Sequence, residues 1–253
     1  MRAFAVVLAV TGCNQLVGIE DTWPRPPVDA EIDAPPLCPE GKNEQRQTIL
    51  AFADTTIIDD GNAQPHGDTP EVLLRRDPFQ IGLWKFGVAN ALDTAVDAEL
   101  VLPYILRELD CGPSAGTVCA SCDADDVSGP ITIYPLVSTW DEATANWDCR
   151  SGGSTNGCPS KPGVGVKWDA PGAAGADRGP AVATTQHVSA SDTHFPLGSQ
   201  LAVLRQWVDT GVLSMLGAAG DATRAWVPAQ TTSPDHLACR PPGVARIEVT
   251  YCE

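Results

Sequence analysis

Two stretches of the chain decide its fold class: Val244–Tyr251, which reads VARIEVTY, and Asp97–Tyr104, which reads DAELVLPY. Every second residue from Ala245 to Tyr251 is apolar or aromatic, and the residues between them include Arg, Glu and Thr. Successive side chains of an extended strand point to opposite faces, so this period of two predicts strands with one buried and one wet face. Both stretches therefore predict β-structure.

From Gln47 onward, weaker strand patterns alternate with turn-forming clusters such as Asp59–Asn62 and Ser151–Gly153. One helix is expected after Ser199, with Gly211 as its stop signal. Short strands without interleaved helices predict an all-β fold, a jelly-roll-like β-sandwich with one short helix and long disulfide-bonded loops. The weaker strand candidates are Thr48–Phe52, Glu71–Arg75, Ile81–Val88, Ile131–Val137, Val164–Trp168, Val212–Leu216 and Thr223–Ala229.

Composition narrows the function classes. The net charge of −16 and the sequence pI of about 4.4 argue against a nucleic-acid partner, because binding phosphates requires clustered Lys and Arg. A hydrophobic content of 43% is enough to form a core. No apolar run reaches the roughly 18 residues that a membrane-spanning helix needs. The sequence thus predicts an acidic, folded domain whose only membrane contact is a lipid anchor.

The N-terminus predicts that anchor. Arg2 precedes the apolar run Ala3–Val10, and Val10–Cys13 (VTGC) resembles the lipobox of bacterial lipoproteins. The resemblance implies a signal peptide over residues 1–12 and lipidation of Cys13, with the protein in the bacterial cell envelope at the outer membrane. The alternative is an ordinary buried or disulfide-bonded Cys13. Residues 13–46 are rich in Pro and acidic residues and are interpreted as a tether, which leaves residues 47–253 as the folded domain.

Nine cysteines indicate an oxidising compartment. Without Cys13 the number is even, as in a disulfide framework, and the eight are Cys38, Cys111, Cys119, Cys122, Cys149, Cys158, Cys239 and Cys252. A short loop favours pairing Cys149 with Cys158, and pairing Cys38 with Cys252 would join the two ends of the domain. The alternatives for the C-x-x-C spacing at 119–122 are a redox pair or half of a zinc site, but its flanking residues are typical of a loop.

The segment Ile131–Trp147 is the most specific stretch of the chain. Its pattern predicts a strand that ends near Ser138, followed by one helical turn in which Glu142 completes a capping box with Thr139. This strand–Trp–x–Glu–turn–Trp pattern resembles the DNRLRE (disaggregatase-related) domain family, and weaker likenesses extend over residues 47–252. The resemblance implies a jelly-roll-like accessory domain of extracellular proteins, some of whose relatives look like carbohydrate-binding modules.

Motifs of catalysis are missing from the sequence, which predicts that the protein is not an enzyme. The adjacent carboxylates Asp141 and Glu142 have a glycosidase pair as an alternative interpretation, but the predicted capping role already accounts for Glu142. No cofactor is predicted. The acidic run Asp123–Asp126 has a structural calcium site as one interpretation and a solvated loop as the other.

Candidate sugar contacts follow from strand parity. Trp84 and Trp168 share faces with apolar residues and are predicted to be core, whereas Trp226 shares a face with Arg224 and is the best exposed aromatic–cation pair. Tyr134 is a second candidate. The predicted function is non-catalytic binding of carbohydrate or an extracellular polysaccharide. The alternatives are a structural or protein-interaction lipoprotein and, third, a polysaccharide-degrading enzyme.

One structural observation separates these alternatives. The sugar hypothesis predicts that Arg75, Arg76, Arg224 and Arg240 cluster in the fold, because a local basic patch is needed to bind a polyanion on an acidic protein. Dispersal of these arginines would favour the structural reading, and a deep pocket with two carboxylates and a histidine would favour an enzyme.

Overall fold

The computed structural model describes residues 37–59, 64–67, 69, 71–76, 79–104, 126–154, 158–159, 164–189, 191–228 and 244–253. All of these ranges belong to one compact unit, Leu37–Glu253. The elements within them are β1 (Glu44–Asp59), β2 (Glu71–Arg75), β3 (Phe79–Gly87), β4 (Ala95–Leu102), β5 (Gly129–Leu136), β6 (Cys149–Ser151), β7 (Val166–Lys167), β8 (Ala183–His187), β9 (Thr193–Pro196), α1 (Leu201–Trp207), β10 (Val212–Ala219), β11 (Arg224–Pro228) and β12 (Arg246–Cys252).

The strands pair in antiparallel fashion in the order β8-β5-β10-β3-β1-β12-β4-β9. Strand β1 joins the two halves of this order: it pairs with β12 up to Leu50 and with β3 from Ala51 onward, with a register irregularity between Ala51 and Ala53. Strands β8 and β9, the two ends of the order, contact each other and nearly close the sheet. Strand β2 pairs with both β3 and β11, so β2 and β11 form a branch outside this order. The fold is therefore all-β and sandwich-like with one short helix, as the sequence predicted.

The main core lies between the two halves of the sheet. Strands β3, β5 and β10 contribute Trp84, Phe86, Ile133 and Met215, and the other half contributes residues such as Leu100. The alternation of Val244–Tyr251 and Asp97–Tyr104 places apolar side chains in this core, because Ala98, Leu100, Ile247 and Val249 are all buried. Both predicted strands are confirmed in position. The predicted wet face is wrong at Val101 and Pro103, which are buried as well.

A second apolar cluster covers the outer face of the central strands. Ile81 and Leu83 of β3 and Leu216 of β10 pack there against Trp140 and Trp168, which come from the segment after β5. Strand β3 is consequently buried on both faces. Trp84 and Trp168 are core residues, as predicted. The basis of the prediction for Trp168 was wrong, because Val164 and Val166, expected on the same buried face, are exposed.

Two details of the predicted architecture differ. The capping box at Thr139 is wrong: residues 142–144 form a turn, and the Glu142 carboxylate accepts a hydrogen bond from the backbone N–H of Asp54 on β1, 3.3 Å away. The helix α1 starts at Leu201 without a side-chain cap, because Ser199 lies in a preceding 3-10 turn. Within the described ranges, no helix has the length and apolar character needed to cross a bilayer.

Two disulfides join the cysteine pairs that the sequence favoured, Cys38–Cys252 and Cys149–Cys158. The first connects the segment before β1 to the end of β12, and Asn43 and Glu253 exchange two backbone hydrogen bonds beside it. The folded unit therefore begins at Leu37 and β1 at Glu44, within the residues that the sequence assigned to the tether. Cys13 and the remaining predicted cysteines, Cys111, Cys119, Cys122 and Cys239, lie outside the described residues.

Candidate functional site: an arginine-lined groove

The groove lies where the β2–β11 ladder ends. Arg75, the last residue of β2, is directly opposite Arg224, the first residue of β11, and Arg76 follows immediately. Together with the turn residues Asp221–Thr223 they line a cavity of about 230 Å³, which we call the arginine groove. Directly opposite residues of an antiparallel pair project from the same face. The register of this one ladder is what brings the arginines together.

The backbone around Arg224 is held firmly. Its N–H and C=O both bond to Val127, at 3.0 and 2.8 Å, in an isolated bridge. The turn before it is closed by a hydrogen bond from the Thr223 N–H to the Gly220 carbonyl, 3.2 Å long, and Ala222 adopts a φ of 62°. The Arg224 backbone is therefore held by Val127 on one edge and by the ladder to β2 on the other, so the side chain extends from a rigid backbone position.

Most of the charged side chains in the arginine groove are positive, whereas the whole chain is negative. The Arg76 Nε lies 3.5 Å from the Asp221 carboxylate, and its guanidinium carbon lies 5.3 Å from the centre of the Phe79 ring. Among the described residues, Arg75 has no ion pair. The groove therefore gathers three guanidinium groups, from Arg75, Arg76 and Arg224, on a chain of net charge −16.

The other predicted sugar contacts are placed as follows. Trp226 takes the register position opposite Leu73, two residues beyond Arg224, but its side chain lies outside the described residues. Its neighbours Ala225 and Val227 are buried. Tyr134 lies on β5, away from the groove, with the Arg178 guanidinium carbon 4.8 Å from its ring centre. Arg240 and the acidic residues Asp123 and Asp125 lie outside the described residues.

The Glu142 turn is a second charged cluster. The Lys85 ammonium lies 4.5 Å from the Trp140 ring centre and donates a 2.5 Å hydrogen bond to the Trp140 carbonyl. Burial lowers the pKa of Lys85 and raises the pKa of Glu142. The hydrogen bond that the Glu142 carboxylate accepts from the Asp54 N–H lowers its pKa, but by less than burial raises it. The neighbouring Asp141 accepts a hydrogen bond from the Thr144 hydroxyl at 2.6 Å. Glu142 and Lys85 attach the Trp140 turn to β1 and β3, whereas the Asp141 carboxylate bonds within the turn itself.

His187, whose loop-like surroundings in the sequence predict a solvated side chain, is instead buried at the end of β8, beside β9. The His187 Nδ1 is 2.7 Å from the Thr193 hydroxyl, and its Nε2 is 2.8 Å from the Asp126 carboxylate. This hydroxyl–imidazole–carboxylate order is the one that activates a nucleophile in hydrolases. Thr193 and His187 are only 4% and 3% exposed, however, which closes the hydroxyl to a substrate. The trio therefore ties residue 126 to the β8–β9 end of the sheet.

Metal binding has no support within the described ranges, where no group of three or more His, Cys, Asp or Glu side chains is arranged to hold an ion. Asp126, the last residue of the acidic run that has a calcium site as one interpretation, bonds to His187. No family model matches the chain, and no curated protein matches it.

Proposed function

We propose that the protein is a non-catalytic, lipid-anchored protein of the bacterial cell envelope that binds an acidic polysaccharide in the arginine groove. The observation that carries this proposal is the clustering of Arg75, Arg76 and Arg224 around one cavity. Three of the four arginines that the sugar hypothesis required are thus neighbours.

The charge chemistry favours a polymer with carboxylate or sulfate groups. A guanidinium group presents paired N–H donors that match a carboxylate or sulfate, and charge-assisted hydrogen bonds of this kind contribute about 1.5–3 kcal/mol each. Arg75 and Arg224 are directly opposite in the ladder and project from the same face, which suits one anionic group that contacts both. On a chain of net charge −16, a local basic site is needed to hold a polyanion.

The test is affinity electrophoresis of the full-length chain, with its disulfides formed, through gels that contain alginate, polygalacturonate, a sulfated galactan or neutral dextran. We expect retardation by at least one acidic polymer, and we expect Arg75→Gln and Arg224→Gln each to weaken it about tenfold, as loss of one charge-assisted bond predicts. Retardation should also fall as salt rises, because the groove is open to solvent.

The matched control is Arg46→Gln. It removes the same charge from β1, where Arg46 is exposed and paired with Glu44 at 2.9 Å, and it should leave retardation unchanged. If no polymer retards the wild-type chain, the proposal is wrong and the structural or protein-interaction alternative takes its place. If all three variants reduce retardation equally, net charge and not the groove is responsible.

The lipid anchor at Cys13 and the membership of the DNRLRE family are two separate proposals. The lipobox-like sequence supports lipidation of Cys13, and an all-β sandwich across residues 44–252 is the architecture that the DNRLRE resemblance implies. Metabolic labelling with an alkynyl fatty acid tests the anchor: the wild-type chain should take up the label, and Cys13→Ser should not. Label retained by Cys13→Ser would refute the assignment of that residue.

A further inference from the structure

The arginine groove contains a carboxylate of its own. Asp221 lies in the turn between β10 and β11, and it is the one acidic residue in the described lining of the groove. Its carboxylate lies 3.5 Å from the Arg76 Nε, and the two side chains are 92% and 57% exposed. Arg75, by contrast, has no ion pair to any residue that the structure describes. An anionic ligand of the groove therefore meets a competitor at Arg76.

The backbone that carries Asp221 is fixed. The Gly220 N–H donates to the Pro130 carbonyl on β5 at 2.8 Å, and the Thr223 N–H donates to the Gly220 carbonyl at 3.2 Å. The Asp221 carboxylate therefore moves only by rotation about its short side chain, and it stays close to Arg76 when the ion pair opens. A group held by so short a link has an effective concentration of about 1 mM or more at its partner.

Arg76 has a second contact that does not depend on Asp221. Its guanidinium carbon lies 5.3 Å from the centre of the Phe79 ring. The Phe79 ring in turn meets Trp147 edge-on, with the ring centres 5.6 Å apart and an interplanar angle of 89°. An exposed cation–π contact is about as strong as an exposed ion pair. Phe79 therefore keeps the Arg76 guanidinium beside the groove when the carboxylate leaves it.

The three arginines form two positions that differ in exposure. Arg75 and Arg224 are half-buried and directly opposite each other, and we call this pair the inner position. Arg76 is exposed, and we call it the outer position. A charge interacts more strongly with its partner where less water surrounds the two. The first anionic group of a ligand is therefore expected at the inner position.

Competition at the outer position depends on how the competing anion is linked. A single anion free in solution competes poorly with Asp221, because the Asp221 carboxylate belongs to the same chain as Arg76 and never diffuses away. A second anionic group that is covalently linked to one already bound at the inner position gains the same advantage. An exposed ion pair is weak, so a linked group can displace Asp221 from Arg76.

We propose that Asp221 is a specificity-determining residue of the arginine groove. It occupies the outer position as an internal competitor, so that single anions bind only between Arg75 and Arg224. A ligand with two linked anionic groups displaces Asp221 and contacts Arg76 as well. This inference rests on the anion binding proposed above and adds to it a selection by the number of linked charges, whatever the chemical class of the ligand.

The experiment is an NMR titration of the full-length, oxidised chain with propanesulfonate, which carries one charge, and with propanedisulfonate, which carries two, at constant ionic strength. The Nε–H signal of each arginine reports on its guanidinium, and it is assigned by its loss in the corresponding Arg→Lys variant. In the wild type, propanesulfonate should shift the signals of Arg75 and Arg224 only, whereas propanedisulfonate should also shift that of Arg76.

The test variant is Asp221→Asn, which removes the charge and keeps the size of the side chain. It should allow propanesulfonate to shift the Arg76 signal. It should also tighten the binding of propanedisulfonate about two- to fivefold, the range expected when one exposed ion pair no longer has to open. In the Arg76→Gln background, the same substitution should bring no gain, because the competitor then has nothing to occupy.

Asp209→Asn is the matched control. Asp209 is also exposed, but it precedes β10 whereas Asp221 follows it, so its substitution should leave binding unchanged. The inference is overturned if Asp209→Asn brings the same gain, or if the gain from Asp221→Asn persists without Arg76, because net charge is then responsible. It is also overturned if propanesulfonate shifts the Arg76 signal of the wild type as propanedisulfonate does. Circular dichroism checks that each variant is folded.

The outcome separates this inference from the proposed function. If the sulfonates behave as expected but no acidic polysaccharide retards the chain, the role of Asp221 stands and the polysaccharide proposal is wrong. If polysaccharides retard the chain but Asp221→Asn binds both sulfonates like the wild type, the reverse holds. If neither sulfonate shifts any of the three arginine signals at about 50 mM, the groove binds no anion and both proposals are wrong.

Discussion

Removing the disulfide between Cys38 and Cys252 should destabilise the protein more than removing the one between Cys149 and Cys158. The two bonds close segments of very different length, with sequence separations of 214 and 9. In the chain-entropy account, a crosslink stabilises by restricting the unfolded chain, and its effect grows with the logarithm of the loop. The comparison therefore tests that account within one protein.

The magnitudes follow from the separations. Taken singly, the loop closed by Cys38–Cys252 corresponds to about 5 kcal/mol at 25 °C, and the loop closed by Cys149–Cys158 to about 2.6 kcal/mol. Cys38 and Cys149 are both buried, at 7% and 0% exposure, so the packing lost on substitution by alanine is similar at the two sites. The expected difference between the double alanine variants is about 2–3 kcal/mol in the free energy of unfolding.

The assay is guanidinium denaturation of the wild type and of the two double variants, without reductant, followed by tryptophan fluorescence. The Cys38→Ala/Cys252→Ala variant should show the lower midpoint, and hydrogen exchange should show faster opening where β1 pairs with β12 at Glu44–Gln47. Equal midpoints, or a larger loss in the Cys149→Ala/Cys158→Ala variant, would refute the loop-length reasoning.

Two further predictions concern the packing around β3. A Cβ at Gly82 would lie 2.5 Å from Val72 Cγ1 and 2.6 Å from the Trp84 ring, so Gly82→Ala should cost about 1–3 kcal/mol in thermal or chemical unfolding. Gly87→Ala, whose nearest neighbour is Phe52 at 3.9 Å, is the control, and a similar loss there would contradict the packing argument. Because burial holds the pKa of Glu142 above its ordinary value of 4.5, the folded state binds the proton more tightly than the unfolded state, and Glu142 subtracts stability as pH rises through this range. Glu142→Gln keeps the acceptor for the Asp54 N–H, so it should raise the free energy of unfolding at pH 7 and change it little at pH 4. If Glu142→Gln instead loses as much stability at pH 7 as Glu142→Ala, the charge itself is needed and the reasoning is wrong.

Much of the strand architecture was predictable, because local alternation reflects local burial. The patterns of Glu71–Arg75 and Val244–Tyr251 match β2 and most of β12. The short strands β6, β8 and β9 were missed, since three to five residues with mixed polarity carry no period. Strand β3 also departs from a half-buried pattern, because the segment that carries Trp140 and Trp168 covers its outer face.

The capping box failed for a physical reason. A Thr-x-x-Glu spacing predicts a local bond within one turn, but Glu142 finds a partner on β1, whose backbone N–H at Asp54 is 88 residues away in the chain. A contact that competes across such a distance has no signature in the local pattern. The same holds for His187, whose partners Thr193 and Asp126 come from two different directions.

The sequence by itself determined the fold class, the favoured disulfide pairs and the candidate arginines of a basic patch. Each of these follows from the order of residues along the chain: the polar–apolar alternation, the spacing of the cysteines and the sign of the charges. Tertiary structure alone decided which side chains meet. Arg75 faces Arg224 only because β2 and β11 pair in one particular register. Ser138, Arg150 and Trp207 line one cavity only because three separate segments of the chain meet at the same end of the sandwich. Register and the meeting of loops depend on the packing of the whole core, which no local pattern encodes.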